Sequence, residues 1–337
     1  MNNFNSMNFR HNSILFVFIL LSGLIFSCTG CNDENNPQEN QKDEDNKEYP
    51  VKLNSIKIRD PFIFVDHKTK TYFLHYNPYT YKNLQCLSSK DLINWKNEGY
   101  SFTASANFWG VKDYWAPDEY EYNGKYYLFV TFSNREGHRG TSVLTSATPD
   151  KNFIPLVNGP ITPIDKMALD AALWVDEEGQ PWIVYCHEWL QVTDGRILAQ
   201  KVTKDLTATT GDPITLFSAS EAPWTKAINA EGAYVTDAPF LYRAKNNDLL
   251  MIWSGTSKNN HYAIGVARSQ SGKIEGPWVH EEETLNNFSG GHAMIFEDLE
   301  GVLRIAFHSP NSGDMERAVI YELIDLNGRI SLGNKLE

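Results

Sequence analysis

Basic residues are in the minority here: 30 Lys and Arg face 42 Asp and Glu, a formal net charge of −12 over 337 residues. Phosphate backbones demand a basic face, so this balance excludes nucleic acid as a partner. Cysteine is also scarce, with four in the chain. Two of them, Cys28 and Cys31, close the apolar leader, which leaves Cys86 and Cys186 for the body. A pair of cysteines permits one bridge in an oxidising compartment and imposes no disulfide framework. Sustained helical periodicity is missing, as is any alternation of strands with long helices, which excludes the α/β architectures. Long hydrophobic runs are missing too. The longest, Ile14 to Phe26, has thirteen residues, about 20 Å as a helix against a bilayer core of roughly 30 Å.

That run has the form of a secretory signal, with Arg10 as its positive flank. Ser27-Cys28 and Gly30-Cys31 each set a small residue before a cysteine at the end of the run. The arrangement resembles the lipobox of bacterial lipoproteins, in which the cysteine becomes the lipidated first residue. Cys31 is followed by Asn32-Asp33-Glu34, which resembles a surface-export signal, whereas Cys28 has Ile25 three positions upstream. Either cysteine fits. Residues 1–30 are therefore expected to be a signal peptide with a lipobox. The only membrane contact implied is an N-terminal lipid anchor, on a periplasmic or outer-membrane, cell-surface protein. Residues 31–50, almost all Asn, Asp, Glu, Lys and Gln, bury too little apolar surface to offset their ordering entropy and read as a disordered tether.

From 51 to 337 the chain repeats itself. Five segments share one pattern, a small or polar start, an apolar strand, a polar turn and a second apolar strand; they begin at Asp60, Ala116, Asp170, Asp237 and His292. The spacings are 56, 54, 67 and 55 residues. Asn123-Gly124, Glu178-Gly179, Asn246-Asn247 and Glu300-Gly301 occupy the turns, where residues tolerant of positive φ belong. The flanking runs are rich in Tyr, Phe, Ile, Val and Trp, which suit a pleated, buried surface. Consecutive hairpins at this period predict an all-β fold, a five-bladed β-propeller, with QCLSSKDLINW, GTSVLTSAT, GRILAQKV and YAIGVARS as outer strands. Most of the 18 Phe, 16 Tyr and 9 Trp must then pack between blades.

In such a fold the innermost strands all start at one end of a central channel. Counted back from the turns, Asp60, Asp170 and Asp237 each lie five residues before the fifth strand position (Val65, Val175, Tyr242), and His292 falls in the same slot. A single Asp at a strand start is as well explained by turn capping. Three in register put several carboxylates in one small volume, where like charges push at least one pKa upward. A site with one carboxylic acid and one carboxylate at neutral pH suits glycoside hydrolysis.

The series Ile58-Arg59-Asp60-Pro61, Tyr114-Trp115-Ala116-Pro117-Asp118 and Leu169-Asp170 resembles glycoside hydrolase family 43, and the resemblance runs over residues 51 to 337. It implies a five-bladed propeller that inverts the anomeric centre, with a polysaccharide or oligosaccharide as substrate. Asp60 matches the general base that activates water. Asp170 matches the carboxylate that tunes and orients the acid. In the fourth blade the family's Glu-Gly-Pro is replaced by Asp237-Ala238-Pro239, which leaves the general acid open among Asp237, Glu188 in Cys186-His187-Glu188-Trp189, and Glu231 in the loop before the strand. His292 matches a channel histidine that faces a cation or a water cluster. The reaction requires no cofactor, and a structural calcium in the central channel is the metal the resemblance suggests. Arg59 is placed to hold a neighbouring carboxylate or a substrate hydroxyl. Among the aromatics at strand ends (Trp109, Tyr114, Trp115, Trp189 and Trp224), Trp115 and Trp189 are expected to line the pocket. The Thr236-to-Leu241 and Gly290-Gly291-His292 segments resemble a furanoside-active branch, hence an α-L-arabinofuranosidase-like enzyme, with galactofuranosides or xylosides as related substrates. A monomer is expected.

Two other readings compete. The related fructan-cleaving propellers carry an Asn-Asp-Pro nucleophile motif, and this chain has Arg59-Asp60-Pro61 in its place and no Asn-Asp-Pro anywhere. A non-catalytic carbohydrate-binding lipoprotein on the same propeller would account for the substituted acid, but it has no use for buried like charges at Asp60 and Asp170.

Overall fold

The computed structural model describes residues 50–80 and 82–337. The signal, both lipobox cysteines and the tether up to residue 49 lie outside the described residues. Twenty strands form five four-stranded antiparallel sheets, each built from consecutive strands in simple up-and-down order. The first sheet holds β1 (Phe62–Asp66), β2 (Thr71–Tyr76), β3 (Asn83–Ser89) and β4 (Trp95–Thr103). The second holds β5 (Lys112–Tyr122), β6 (Lys125–Ser133), β7 (Arg139–Ser146) and β8 (Ile154–Pro155). In the third are β9 (Ala168–Val175), β10 (Pro181–His187), β11 (Arg196–Val202) and β12 (Thr209–Ser218). The fourth comprises β13 (Asp237–Arg243), β14 (Leu249–Thr256), β15 (Tyr262–Ser269) and β16 (Trp278–His280), and the fifth β17 (Gly291–Glu297), β18 (Leu303–Ser309), β19 (Arg317–Leu326) and β20 (Arg329–Lys335).

The first strands touch one another in a closed circuit, β1 to β5 to β9 to β13 to β17 and back to β1. This is the five-bladed propeller expected from the repeats. Burial explains why the second strands read as unbroken apolar runs. Each blade is covered on both faces by its neighbours, so β2, β10 and nearly all of β6 are buried and lose the alternation of a half-exposed strand. The hairpin turns use the chemistry their sequence announces. Asn123 and Gly124 take φ of 49° and 74°, the left-handed pair a tight two-residue turn needs. In three other blades an aspartate at or just after the end of the first strand accepts turn N–H groups: Asp66 from Lys68, Asp176 from Glu178 and Gln180, and Asp298 from Glu300 and Val302.

The ring is closed by the segment before β1. Val51 bridges to Trp95 in the first blade, and Ile58 N–H donates to Glu316 O of the fifth at 3.2 Å. Leu53 and Ile58 share one apolar cluster with Phe62, Met294, Phe296 and Ile320. Between the third and fourth blades the key piece is Trp224, which packs 4.7 Å from Trp253 and lies flat on Gly265 in β15. A Cβ at Gly265 would stand 2.1 Å from the Trp224 ring, so only glycine admits it. Cys86 and Cys186 are both buried and both free; they sit in the first and third blades, and no bridge joins them.

Candidate active site

In or just before each innermost strand an equivalent residue takes the left-handed region: Asp60 (φ 54°), Ala116 (46°), Asp170 (55°), Ala238 (51°) and His292 (57°). For residues with a Cβ this conformation is costly, and it persists where the surrounding fold over-determines it. The five positions are equivalent, and they correct one alignment made from the turns. Asp237 does not share the slot of Asp60 and Asp170; Ala238 does. The turns give the same register: Asn246 follows Ala238 by eight residues, as Glu178 follows Asp170 and Glu300 follows His292, and Ala244 stands where blades one, three and five have Asp66, Asp176 and Asp298. Ala244 N–H bonds Asp248 O just as Asp176 bonds Gln180 O and Asp298 bonds Val302 O. Asp237 therefore belongs with Arg59, Trp115 and Leu169, one residue earlier. Each of these four lines the same pocket of about 400 Å³ as Asp60, Asp170 and His292. Blades one and three thus supply two consecutive residues each and blades two, four and five one each from these paired positions, and the carboxylates still meet.

Asp60 is buried with side-chain nitrogens around its Oδ1, an oxygen that has no hydrogen-bond partner in the protein. Its Oδ1 lies 3.1 Å from His292 Nδ1, 3.3 Å from His308 Nδ1 and 3.4 Å from Arg59 Nε. Its own N–H donates to His308 Nδ1, which leaves His308 Nε2 to face Asn311 Oδ1 at 3.2 Å. Arg59 is fixed from behind, donating to Asn311 Oδ1 at 2.6 Å and to the buried Glu316 at 2.7 Å. Burial alone would push the Asp60 carboxyl up, but His292 and Arg59 outweigh it and hold the group well below the usual carboxylate range. His292 responds in kind: burial opposes its charge, yet Asp60 and Asp170 lift its imidazole to about 10.

Asp170 and Asp237 are the opposite case. Asp170 accepts from Ala238 N–H at 3.2 Å and from Thr131 Oγ1 at 3.4 Å, and His292 Nδ1 stands 3.9 Å away. Burial, with Asp237 and Asp60 adding negative charge and His292 opposing, pushes it up to about 7. Asp237 is raised too, first by burial, while His292, Arg59 and the Tyr262 hydroxyl pull against the rise. Tyr262 donates to Asp237 Oδ2 at 3.0 Å. Its ring also stacks on His308, 5.5 Å between centroids at 17°, so one tyrosine braces both carboxylates. Two carboxyls that share a site and repel each other's charge titrate as a coupled pair.

Glu188 reaches the pocket from the end of β10, where the second strand of blade three returns to the channel mouth. Arg139, the first residue of β7, donates to its Oε1 and lies over the Trp115 ring at 4.7 Å. Burial raises the Glu188 carboxyl and Arg139 opposes the rise. Trp189, which opens the single-turn helix α1 (Trp189–Val192), lines the pocket beside it. A cleft of about 660 Å³ at the turn end of blades one and two is larger, but it contains none of the raised carboxylates. Chemistry, not size, marks the site.

Asp60, Asp170, Asp237, Glu188, Arg59, Trp115, Trp189 and His292 are brought together. Glu231 is not: it is exposed in the loop before β13 and absent from the pocket wall. Trp224 is core, and Trp109 donates to Ser142 and packs on Phe132. Sequence reasoning missed Arg139, Tyr262 and His308. All three stand at the channel-mouth ends of second or third strands, the position that singled out Glu188, and the same rule would have found them. It also quoted Asp118 without a role. That carboxyl lies in the channel with His292, Pro61 and Ala238, and burial pushes it up to about 8. Of these side chains, Asp118 alone offers a metal an oxygen, because His292 is held as an imidazolium, and among the described residues no group of three or more His, Cys, Asp or Glu is spaced to hold a metal. These two side chains do not by themselves fill the six to eight oxygen positions calcium takes.

Relatives carry the same body. An endo-arabinase from Bacteroides thetaiotaomicron VPI-5482 superimposes with a TM-score of 0.80 at 51% identity, covering 83% of this chain and 99% of that one. The extracellular endo-α-(1→5)-L-arabinanase 1 of Bacillus subtilis (strain 168) is 28% identical over 227 residues, 64% of this chain and 65% of the relative. The extracellular exo-α-(1→5)-L-arabinofuranosidase ArbA of Cellvibrio japonicus (strain Ueda107) is 24% identical over 62% of this chain and 63% of its own. The chain thus spans just under two thirds of the length of these two curated relatives. The family model for glycosyl hydrolases family 43 matches residues 51–327. With the propeller, the paired carboxylates at its mouth and that match in hand, the chain belongs to glycosyl hydrolases family 43.

Proposed function

We propose that the protein is an inverting glycoside hydrolase that cleaves arabinofuranosidic linkages in arabinose-containing polysaccharide. The observation that carries this reading is the split between carboxylates in one pocket. Asp60 is held as an anion while Asp237 and Asp170 are pushed towards the acid form. Opposed shifts of this kind assign base and acid. In the proposed reaction Asp60 takes a proton from a water whose oxygen bonds to the anomeric carbon. Asp237 gives its proton to the glycosidic oxygen as that carbon–oxygen bond breaks. Asp170, bonded to the Ala238 N–H beside Asp237, holds the acid's strand and raises its pKa. Asp237 is preferred to Glu188 because burial and the charge of Asp60 raise it beside the raised Asp170, whereas a fixed guanidinium faces Glu188 and opposes its rise. Arabinose is supported by the names of the 51% identical structure and of the two curated relatives.

The test is direct. Residues 51 to 337 are incubated with native arabinan, arabinogalactan, galactofuranose-containing glycans and xylo-oligosaccharides, and released sugars are read by chromatography. Arabinose or arabino-oligosaccharides are expected from arabinan, and Asp60→Asn and Asp237→Asn should abolish them. Glycan binding without release from any substrate would replace the enzyme with a carbohydrate-binding lipoprotein.

The extracellular relatives support export, and anchoring through Cys28 or Cys31 is part of the same proposal; metabolic labelling with a lipid analogue in each Cys→Ala variant tests it. A channel calcium would sit beside Asp118 and His292, complete its shell with water and screen the buried carboxylates. Elemental analysis of the purified protein decides this, and a chelator should lower the melting midpoint if the ion is there.

A further inference from the structure

One element of the pocket has no part in the proton transfers proposed above. Arg139 and Glu188 form a buried ion pair across the interface between blades two and three, with side chains 18% and 8% exposed. Both line the cavity. The pair is held rigidly. Asp113, in the left-handed region at φ 58°, accepts from Ser133 Oγ at 2.6 Å and lies 3.5 Å from Arg139 Nε. The guanidinium rests on Trp115 from the other side. Yet the pair is incompletely satisfied: Glu188 Oε2 and Arg139 Nε are both buried without a protein hydrogen-bond partner. A buried carboxylate oxygen left without a hydrogen bond is expensive unless a ligand completes it.

We propose that Arg139 and Glu188 are a recognition clamp for adjacent hydroxyls of the sugar unit seated against Trp115. One hydroxyl donates to Glu188 Oε2 and its neighbour accepts from the guanidinium, while the indole covers an apolar C–H face of the ring. The ligand class is a glycosyl unit with two free vicinal hydroxyls. Neutral sugars without them, and polysaccharide units substituted at either hydroxyl, are discriminated against because they leave the buried pair unsatisfied. Arg139 is the cation that faces Glu188, with Asp237 and Asp113 as anions near it, and the ion pair's polar atoms meet neutral hydroxyls. This assignment rests on the hydrolase reading for the identity of the pocket, and it makes Glu188 a specificity residue, not the proton donor.

Calorimetry separates the two claims. Arabino-oligosaccharides are titrated onto the Asp60→Asn protein, and then onto the same protein carrying Arg139→Lys, Arg139→Gln or Glu188→Gln. Near-ultraviolet dichroism confirms that each is folded. The clamp predicts a tenfold or greater loss of affinity for each single variant and no further loss for the Arg139→Gln/Glu188→Gln double variant. With Asp60 intact, Glu188→Gln should raise KM on oligosaccharide and on a nitrophenyl arabinofuranoside alike, with kcat falling less than tenfold. Unchanged affinity in the variants, or no binding by the parent, overturns the clamp. So does a loss of kcat of a hundredfold or more on oligosaccharide that is spared on the nitrophenyl leaving group, which is the signature of a lost general acid. Binding that weakens as predicted in a protein that hydrolyses nothing would sink the hydrolase reading and leave the clamp standing.

Discussion

Tyr262→Phe removes one hydroxyl and keeps the ring that stacks on His308, so it isolates the bond to Asp237 Oδ2 at 3.0 Å. A hydrogen bond to a charged group contributes about 1.5–3 kcal/mol, and one pKa unit corresponds to about 1.4 kcal/mol. Loss of the donor therefore destabilises the carboxylate by roughly one to two pKa units, and solvent entering the pocket brings the expected shift to the lower end, about one unit. The sign is fixed by the chemistry. The acid must be protonated, so kcat/KM falls as pH rises through its pKa. Tyr262→Phe raises that pKa and moves the alkaline limb to higher pH. In the wild-type protein this limb belongs to the Asp170–Asp237 pair, of which Asp170 is pushed up to about 7. The acidic limb belongs to Asp60, held well below the ordinary range, and should stay in place. The assay is the pH dependence of kcat/KM on linear arabino-oligosaccharide from pH 4 to 9. An alkaline limb that stays put or moves down would refute the assignment of Asp237 as the acid.

Asp170→Asn should have the opposite sign: without the neighbouring negative charge Asp237 ionises more easily, and the same profile should show the alkaline limb shifted to lower pH. Asp60→Asn should cut kcat on oligosaccharide by about 10²–10⁴-fold, the typical contribution of a general base, while calorimetry shows substrate still bound. Gly265→Ala drives a methyl group into the Trp224 ring 2.1 Å away; urea denaturation should show a loss of about 1–3 kcal/mol, with the catalytic pH profile unmoved in the folded fraction.

The repeats were legible because each blade spends its strongest signals on the same task. Tyr, Phe and Ile runs fill the interblade space, and the hairpins close on Asn-Gly in blade two, an Asp with a following Gly in blades three and five, Asp66 in blade one and Asn246-Asn247 in blade four. Five such units in series leave few architectures. Convergence of Asp60, Asp170 and His292 was legible for the same reason, since equivalent strand starts must meet at the axis. Asp237 is one position off the slot because matching Asp to Asp overrides the turn, whose Asn246 lies eight residues after Ala238 and nine after Asp237. Arg139, Tyr262 and His308 were harder. Each comes from a second or third strand, separated from its partner by 49 residues for Arg139 and Glu188, 25 for Tyr262 and Asp237, and 248 for His308 and Asp60. Periodicity locates such strands but carries no record of which side chain on one blade touches the next. Polar satisfaction is likewise a property of the assembled site: Glu188 Oε2 is orphaned because of what surrounds it, and nothing in Cys186-His187-Glu188-Trp189 announces it.

The central claim is that Asp60 directs a water to the anomeric carbon while Asp237 protonates the departing oxygen from the other side. Proton NMR of the first minutes of arabino-oligosaccharide hydrolysis tests it most directly, because the anomer formed is read before it equilibrates. The account predicts that the β-anomer appears first from an α-linked substrate. An α-anomer appearing first would mean a covalent intermediate and a nucleophilic carboxylate, and would contradict it.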